Sequence, residues 1–179
     1  MSSKELILNK LKKTDIKDRL SIPSSNADKD IFSDYPDKNS LLDLFANRFE
    51  ALNGELHLAK DIEKASEKLN SVLSTMNEKK CITFSSNLIK NIISSTQDFQ
   101  SNFDVLDDKY MESNRFATYS VGLTTADFLV ARTGSIVLNS LNHGGRRLSV
   151  LPPVHIVVAN TNQIVFSLED IFNKNFTFH

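Results

Sequence analysis

Residues 122–158 read GLTTADFLVARTGSIVLNSLNHGGRRLSVLPPVHIVV, and this stretch holds four of the chain's five glycines and two of its four prolines. Glycine is concentrated where backbone must turn with positive φ or approach another group closely, so these breakers between apolar runs mark tight strand connections. The apolar runs predict strands at 117–121, 127–131, 135–139, 154–159 and 163–166. Near-continuous apolar content, as in Ile156-Val157-Val158, predicts strands buried on both faces.

Toward the N-terminus the pattern changes period. Ser40 stands as an N-cap before Leu41, Leu42, Phe45, Phe49 and Leu52, and Asn53-Gly54 supplies a stop, which predicts a helix. Glu55–Ala59 alternates as a short strand. Asp61–Met76 carries Ile62, Ala65, Leu69, Val72, Leu73 and Met76 at helical spacing, followed by a strand at Cys81–Phe84 and a helical set at Asn87–Ile93. This βαβα order predicts an α/β domain over residues 39–179 with a mostly parallel sheet and covering helices. Residues 1–38 read as an arm: a helical stripe of Leu6, Ile7, Leu11, Ile16 and Leu20, then a polar connection from Ser21 to Asn39 containing two prolines. Such an arm is expected outside the core, either packed on another subunit of a homo-oligomer or mobile.

Bulk properties narrow the function classes. A chain of 179 residues suits one core. With 21 basic against 22 acidic side chains and no basic block, it lacks the concentrated positive surface that nucleic-acid binding needs. No apolar run approaches the roughly 18 residues of a membrane span, and the first residues are too charged for a secretory signal, so a soluble, cytoplasmic protein is expected. Cys81 is the single cysteine. An internal disulfide is excluded, and a protein-borne iron–sulfur cluster, which needs about four thiolates, is not expected. Cys81 lies in an apolar run and reads as a small buried hydrophobe. No cofactor is expected, because no nucleotide fingerprint is present either.

The candidate site residues all fall in the opening stretch. Thr124, Thr125 and Asp127 open the strand ending at Ala131, where hydroxyls and a carboxylate either hold a ligand or satisfy loop amides. No second ligand stands at metal spacing from Asp127, so no metal site is predicted. Thr133-Gly134-Ser135 is a tight turn that either closes a hairpin or frees amides for an anion. Asn142-His143-Gly144-Gly145-Arg146-Arg147 combines flexible backbone with an imidazole and two guanidiniums, the ingredients of a loop for carboxylate or phosphate. Pro152-Pro153 fix the entry into the strand carrying His155, which either orients a ligand or is a buried structural histidine.

The same stretch resembles the LUD domain of lactate utilization protein C. The resemblance rests on the Ala126-Asp127-Phe128 strand, the Thr133-Gly134-Ser135 turn, the apolar strand after it, Gly145-Arg146, and Leu151-Pro152-Pro153-Val154-His155-Ile156. It implies a Rossmann-like fold related to ribose-5-phosphate isomerase, glucosamine-phosphate deaminase and the CoA-transferases. It also implies a role as the subunit without iron–sulfur motifs in bacterial oxidation of L-lactate to pyruvate, with iron–sulfur protein subunits as partners. Thr125, Asp127, Thr133, Gly134, Ser135, Gly144, Gly145, Arg146 and His155 would then serve a small anionic ligand or shape a docking surface. Two departures stand out. The family position before the Thr-Gly turn is usually acidic, and in the CoA-transferase relatives a glutamate in a comparable turn forms the covalent intermediate; here it is Arg132, which cannot be a carboxylate nucleophile but could bind a carboxylate. Family members also continue into a Gly-Pro-Ser-x-Thr-Ala-Asp-Ile-Glu motif and a His-Gly-Pro turn, and neither occurs before His179. Two other readings therefore stay open: a stand-alone binding protein or enzyme for a CoA-like or sugar-phosphate ligand, and a degenerate interaction subunit.

Overall fold

The computed structural model of the protein describes residues 37–76, 80–95, 102–106, 116, 118–139 and 146–173. The arm helix and the connection expected before Pro36 lie outside the described residues, as do Asn142 to Gly145.

The first helix, α1, spans Lys38–Ala51. Its cap is Asp37, not Ser40: the Asp37 carboxylate accepts the Ser40 N–H at 2.8 Å, satisfying a donor that the first turn leaves orphaned. Leu41, Leu44, Phe45 and Phe49 form one stripe, with the Phe45 and Phe49 rings stacked at 5.4 Å. Asn53, at φ 63, ends the helix in the left-handed region, and the Gly54 N–H donates back to the Phe49 carbonyl at 3.0 Å. Glu55–Ala59 is not a strand. Alternation was its whole signal, and among the described residues no strand pairs with it; Leu56 alone packs inward while Leu58 stays exposed.

Helix α2, Ile62–Ser74, is capped by Asp61, whose carboxylate accepts the Lys64 N–H at 2.7 Å. Strand β1, Cys81–Phe84, feeds helix α3, Asn87–Ser94. Buried Ser66 joins the two helices, its hydroxyl donating to the Ile92 carbonyl at 3.1 Å. Three further strands, β2 (Phe103–Leu106), β3 (Val121–Thr125) and β6 (Val154–Val158), complete a four-stranded sheet in the order β2-β1-β3-β6, parallel throughout. Side chains alternate across it. Cys81, Val121 and Leu123 pack on one face against Leu69, Leu73, Ile89 and Ile92 of α2 and α3. Ile82 and Leu106 point to the other face, where Phe116, Tyr119 and Leu148 cover them.

Two short strands, β4 (Phe128–Val130) and β5 (Ser135–Val137), form an antiparallel hairpin, and β7 (Ile164–Val165) pairs parallel to β4. This three-stranded sheet, β5-β4-β7, continues from the ends of β3 and β6 and packs against α1 through Leu41, Phe45, Leu129 and Ala131. Helix α4, Arg147–Val150, precedes β6, and α5, Leu168–Asn173, follows β7.

Several expectations are corrected here. The parallel sheet with covering helices is as expected, and a second, smaller sheet stands beside it because the chain turns at Ala126-Asp127 and again at Ala159-Asn160. The strand expected at 117–121 begins at Val121 instead; Thr118 to Ser120 form the approach, held by the Ser120 N–H and hydroxyl on the Lys80 carbonyl at 2.9 and 3.0 Å. Strand β2 carried no recognisable pattern, since only Leu106 of Phe-Asp-Val-Leu is buried. Ile156, Val157 and Val158 are half-buried, not enclosed on both faces, because β6 is the edge of its sheet.

Candidate functional site

In an all-parallel sheet every strand ends at the same edge, and each following helix starts there, with unpaired N–H groups pointing outward. Here β1 runs through Ser85 and Ser86 into α3. Thr83 pairs with Leu123, so two residues further on Ser85 lies beside Thr125, itself paired with Val158 of β6. Ser86 is the N-cap of α3, yet its side chain makes no capping hydrogen bond. Ser85, Ser86 and Thr125 thus share the carboxyl edge. The two serines were passed over in the sequence, although Ser-Ser-Asn between an apolar tetrapeptide and Leu88-Ile89 is a strand-to-helix turn in plain form.

Below that edge, Thr124 and His155 are joined by a 2.9 Å hydrogen bond between Oγ1 and Nε2. Thr124 is 1% exposed, and burial lowers the His155 pKa below its ordinary value, so the ring is held neutral. A neutral imidazole and a hydroxyl can each donate or accept, which lets the pair satisfy one another across β3 and β6. His155 also lies opposite Gly122 in the ladder. A Cβ on Gly122 would run into the Leu148 carbonyl oxygen, with Pro152 Cγ at 3.1 Å, so this glycine is what lets α4 lie directly on the sheet.

Asp127 serves the second sheet. Its carboxylate accepts the Asn139 N–H at 2.5 Å and its own N–H donates to the Val137 carbonyl at 2.9 Å, closing the base of the β4–β5 hairpin. Gln163 Nε2 donates to the Ala126 carbonyl at 2.5 Å, tying the β3–β4 link to the β6–β7 link. The Arg132-Thr133-Gly134-Ser135 turn closes the hairpin's other end. Gly134 has φ +64, and its Cα is pressed on α1 so closely that a Cβ would meet the Phe49 nitrogen at 2.6 Å. The Arg132 N–H donates to the Phe166 carbonyl at 3.0 Å, while the Arg132, Thr133 and Ser135 side chains face solvent.

Arg146 is exposed at the head of α4, its carbonyl accepting the Ser149 hydroxyl at 3.1 Å. Arg147 lies over the Phe116 ring at 5.4 Å. Gly144 and Gly145 fall outside the described residues. The sequence candidates therefore sit on different supports. Thr125 and His155 belong to the parallel sheet, Arg146 to α4 above it, and Asp127 with Arg132–Ser135 to the small sheet against α1. On the same side as α4, the Tyr119 hydroxyl donates to the Asp104 carboxylate at 2.7 Å and Lys80 Nζ lies 4.8 Å from the Tyr119 ring, a cluster that local periodicity did not reveal.

Cys81 is fully buried, and burial pushes its thiol up to about 11, so it is no thiolate at neutral pH. Among the described residues no group of three or more His, Cys, Asp or Glu side chains could hold a metal, and no helix is long and apolar enough to cross a membrane.

Comparison with known proteins agrees with this architecture. The structure is similar to the crystal structure of a DUF162 family protein from Deinococcus radiodurans, with a TM-score of 0.63 at 18% identity, covering 76% of this chain and 78% of that one. At that identity the likeness speaks for the fold, a parallel sheet flanked by helices. No curated protein matches the sequence. Residues 42–177 match the LUD domain, which spans both sheets and all the helices from α2 onward. The chain belongs to the LUD domain family.

Proposed function

We propose that this LUD-domain protein is the cluster-free subunit of a bacterial system that oxidises L-lactate to pyruvate, and that it binds a small carboxylate or phosphate anion. The observation that carries the reading is the LUD match across residues 42–177. Oxidation of lactate releases two electrons, and a chain whose single thiol is buried and protonated offers no cluster to receive them. The electrons then pass to partner subunits that carry iron–sulfur clusters, in the cytoplasm.

In this reading Arg146, with the Gly144-Gly145 backbone, supplies the charge for the anion. Thr125 and the Ser85-Ser86 turn supply neutral donors at the carboxyl edge, and His155, held neutral by burial and hydrogen-bonded to Thr124, bridges β3 and β6 beneath them. Arg132 and the Thr133, Gly134 and Ser135 turn form a second candidate contact for a carboxylate. Asp127 keeps the hairpin carrying that turn in place. The test is affinity purification of the tagged chain from its native cells without oxygen. Cysteine-rich iron–sulfur proteins that co-elute and reduce an acceptor on adding L-lactate are the expected result. Recovery of the chain alone, with lactate oxidation elsewhere in the lysate, would overturn it.

A second reading, a LUD-family subunit that only assembles with others, is favoured by one observation. Arg132 stands where a nucleophilic carboxylate would be needed, in a turn whose glycine is already committed to packing on α1. Thermal stabilisation by phosphate or lactate that disappears in Arg146→Ala supports the anion-binding reading over this one.

A further inference from the structure

The strands that run from one sheet into the other change register on the way. Thr125 of β3 pairs with Val158 of β6, and Leu129 of β4 pairs with Ile164 of β7. Between these two rungs the first strand uses three residues, 126–128, and the second uses five, 159–163. The second strand therefore carries a two-residue excess, taken up by the 3-10 turn Thr161–Gln163.

The break falls at one rung. In a parallel ladder, a residue that donates its N–H to one position accepts, on its own carbonyl, the N–H two positions further along. The Ala126 N–H donates to the Val158 carbonyl at 3.1 Å, so a regular ladder would next join the Asn160 N–H to the Ala126 carbonyl. That bond is replaced. The Asn160 N–H donates to Gln163 Oε1 at 2.6 Å, and Gln163 Nε2 donates to the Ala126 carbonyl at 2.5 Å, with the Asp127 carbonyl at 3.4 Å. A side-chain amide offers the same acceptor and donor as a peptide group, so Gln163 stands between the two backbone groups that the ladder would have joined. Pairing resumes beyond it, where the Ala131 N–H donates to the Val165 carbonyl at 2.9 Å.

Apolar packing alone does not set this offset. The cluster around Leu41 and Phe45 of α1 takes in Val157 and Ala159 before the break and Leu129 and Ile164 after it, and such contact is non-directional. The directional bonds at the break are those of the Gln163 amide. Gln163 is half-buried, so water can take over its partners when the side chain withdraws.

We infer that Gln163 is the latch of a hinge between the two sheets. With its amide in the rung, β4 and β7 are held to the ends of β3 and β6. When the amide leaves, β4, β5 and β7 open together, carrying the Arg132 to Ser135 turn with them, while the parallel sheet stays closed.

Gln163 also completes a capping box with Asn160 on the 3-10 turn, and glutamate serves that box as well as glutamine does. Q163E therefore separates a latch from a cap: the introduced carboxylate still accepts the Asn160 N–H but has no hydrogen for the Ala126 carbonyl. The experiment is residue-resolved amide exchange on the full chain, each variant compared with the parent at the same pH. At neutral pH both Q163E and Q163A should exchange about tenfold faster at Ala131 and Arg132, with β1 and β3 unchanged. Acid then distinguishes them. A carboxyl facing a carbonyl has a raised folded pKa, so its destabilisation is present at neutral pH and is lost as pH falls through that value and the proton restores a donor. The excess exchange of Q163E should shrink toward acid, and that of Q163A should not. Parent-like exchange in Q163E at neutral pH, an excess in Q163E that ignores acid, or equal quickening in β1 and β3 would each overturn the inference. Should the variants fail to fold, the parent chain in mild urea decides: β4, β5 and β7 amides sharing one opening free energy below that of β1 and β3 support the hinge, and a single value for all of them overturns it.

Discussion

The two sheets hold together by different means. The four-stranded parallel sheet is long-range and apolar: Cys81, Val121 and Leu123 pack against α2 and α3 on one face, and on the other Gly122 lies hard under the backbone of α4. The three-stranded sheet is short, and polar ties do much of the fastening: Asp127 to Asn139, Gln163 to Ala126, and Gly134 against α1. The first is a scaffold whose cost of perturbation is steric, and the second is a clamp whose cost of perturbation is a lost hydrogen bond or a strained turn. If that contrast is right, equally small changes should separate by size according to the sheet they strike.

Gly122→Ala should be the most damaging, because the new methyl meets the backbone carbonyl oxygen of Leu148 in α4 and not the end of a flexible side chain that could give way. A loss of about 3 kcal/mol is expected, at the upper end for overpacking, read as a lower urea midpoint. Gly134→Ala strikes the clamp through left-handed backbone and the α1 contact, and about 2 kcal/mol is expected. A milder result for Gly122→Ala than for Gly134→Ala would reverse the contrast.

Asp127→Ala leaves the Asn139 N–H without its acceptor and should cost about 1.5 kcal/mol. Amide exchange should quicken in β5 and leave β1 and β3 unaffected. Uniform quickening across both sheets would show that the clamp is not separate from the scaffold.

Thr124→Val should have the smallest effect at neutral pH, about 1 kcal/mol, by leaving His155 Nε2 unpartnered. Its companion test is pH. His155 titrates below 6.5 when folded and near 6.5 when unfolded, so below that value the unfolded chain binds the proton more tightly. Stability from neutral His155 is therefore complete above 6.5 and declines as pH falls through it. His155→Gln should flatten this part of the stability profile relative to the parent. Parallel profiles for the two proteins would remove the histidine from the account.

Both sheets were legible in part. Period-3.6 stripes in α1 and α2, and the Cys81–Phe84 run before α3, directly encode faces that must be buried, and the parallel sheet follows from their order. Strand β2 was missed because it buries little and so has little pattern. Glu55–Ala59 was misread because alternation says nothing about whether a partner strand is in reach. The clamp's three strands were legible in the apolar runs at 127–131, 135–139 and 163–166, and its turn at Thr133-Gly134-Ser135, where a tight turn requires a glycine. Its other fastenings join residues 12 and 37 positions apart through a side chain and a backbone group, and no local period records such a bond. The same holds for the Thr124–His155 pair and for the place of Ser85 beside Thr125, both of which depend on the β1-β3-β6 register.

The proposed role is tested most directly by L-lactate-dependent acceptor reduction in oxygen-free extracts of cells from which this gene has been deleted. The account predicts that the activity is lost, returns when the purified chain is added, and does not return with folded Arg146→Ala. Undiminished lactate oxidation without the chain would contradict it.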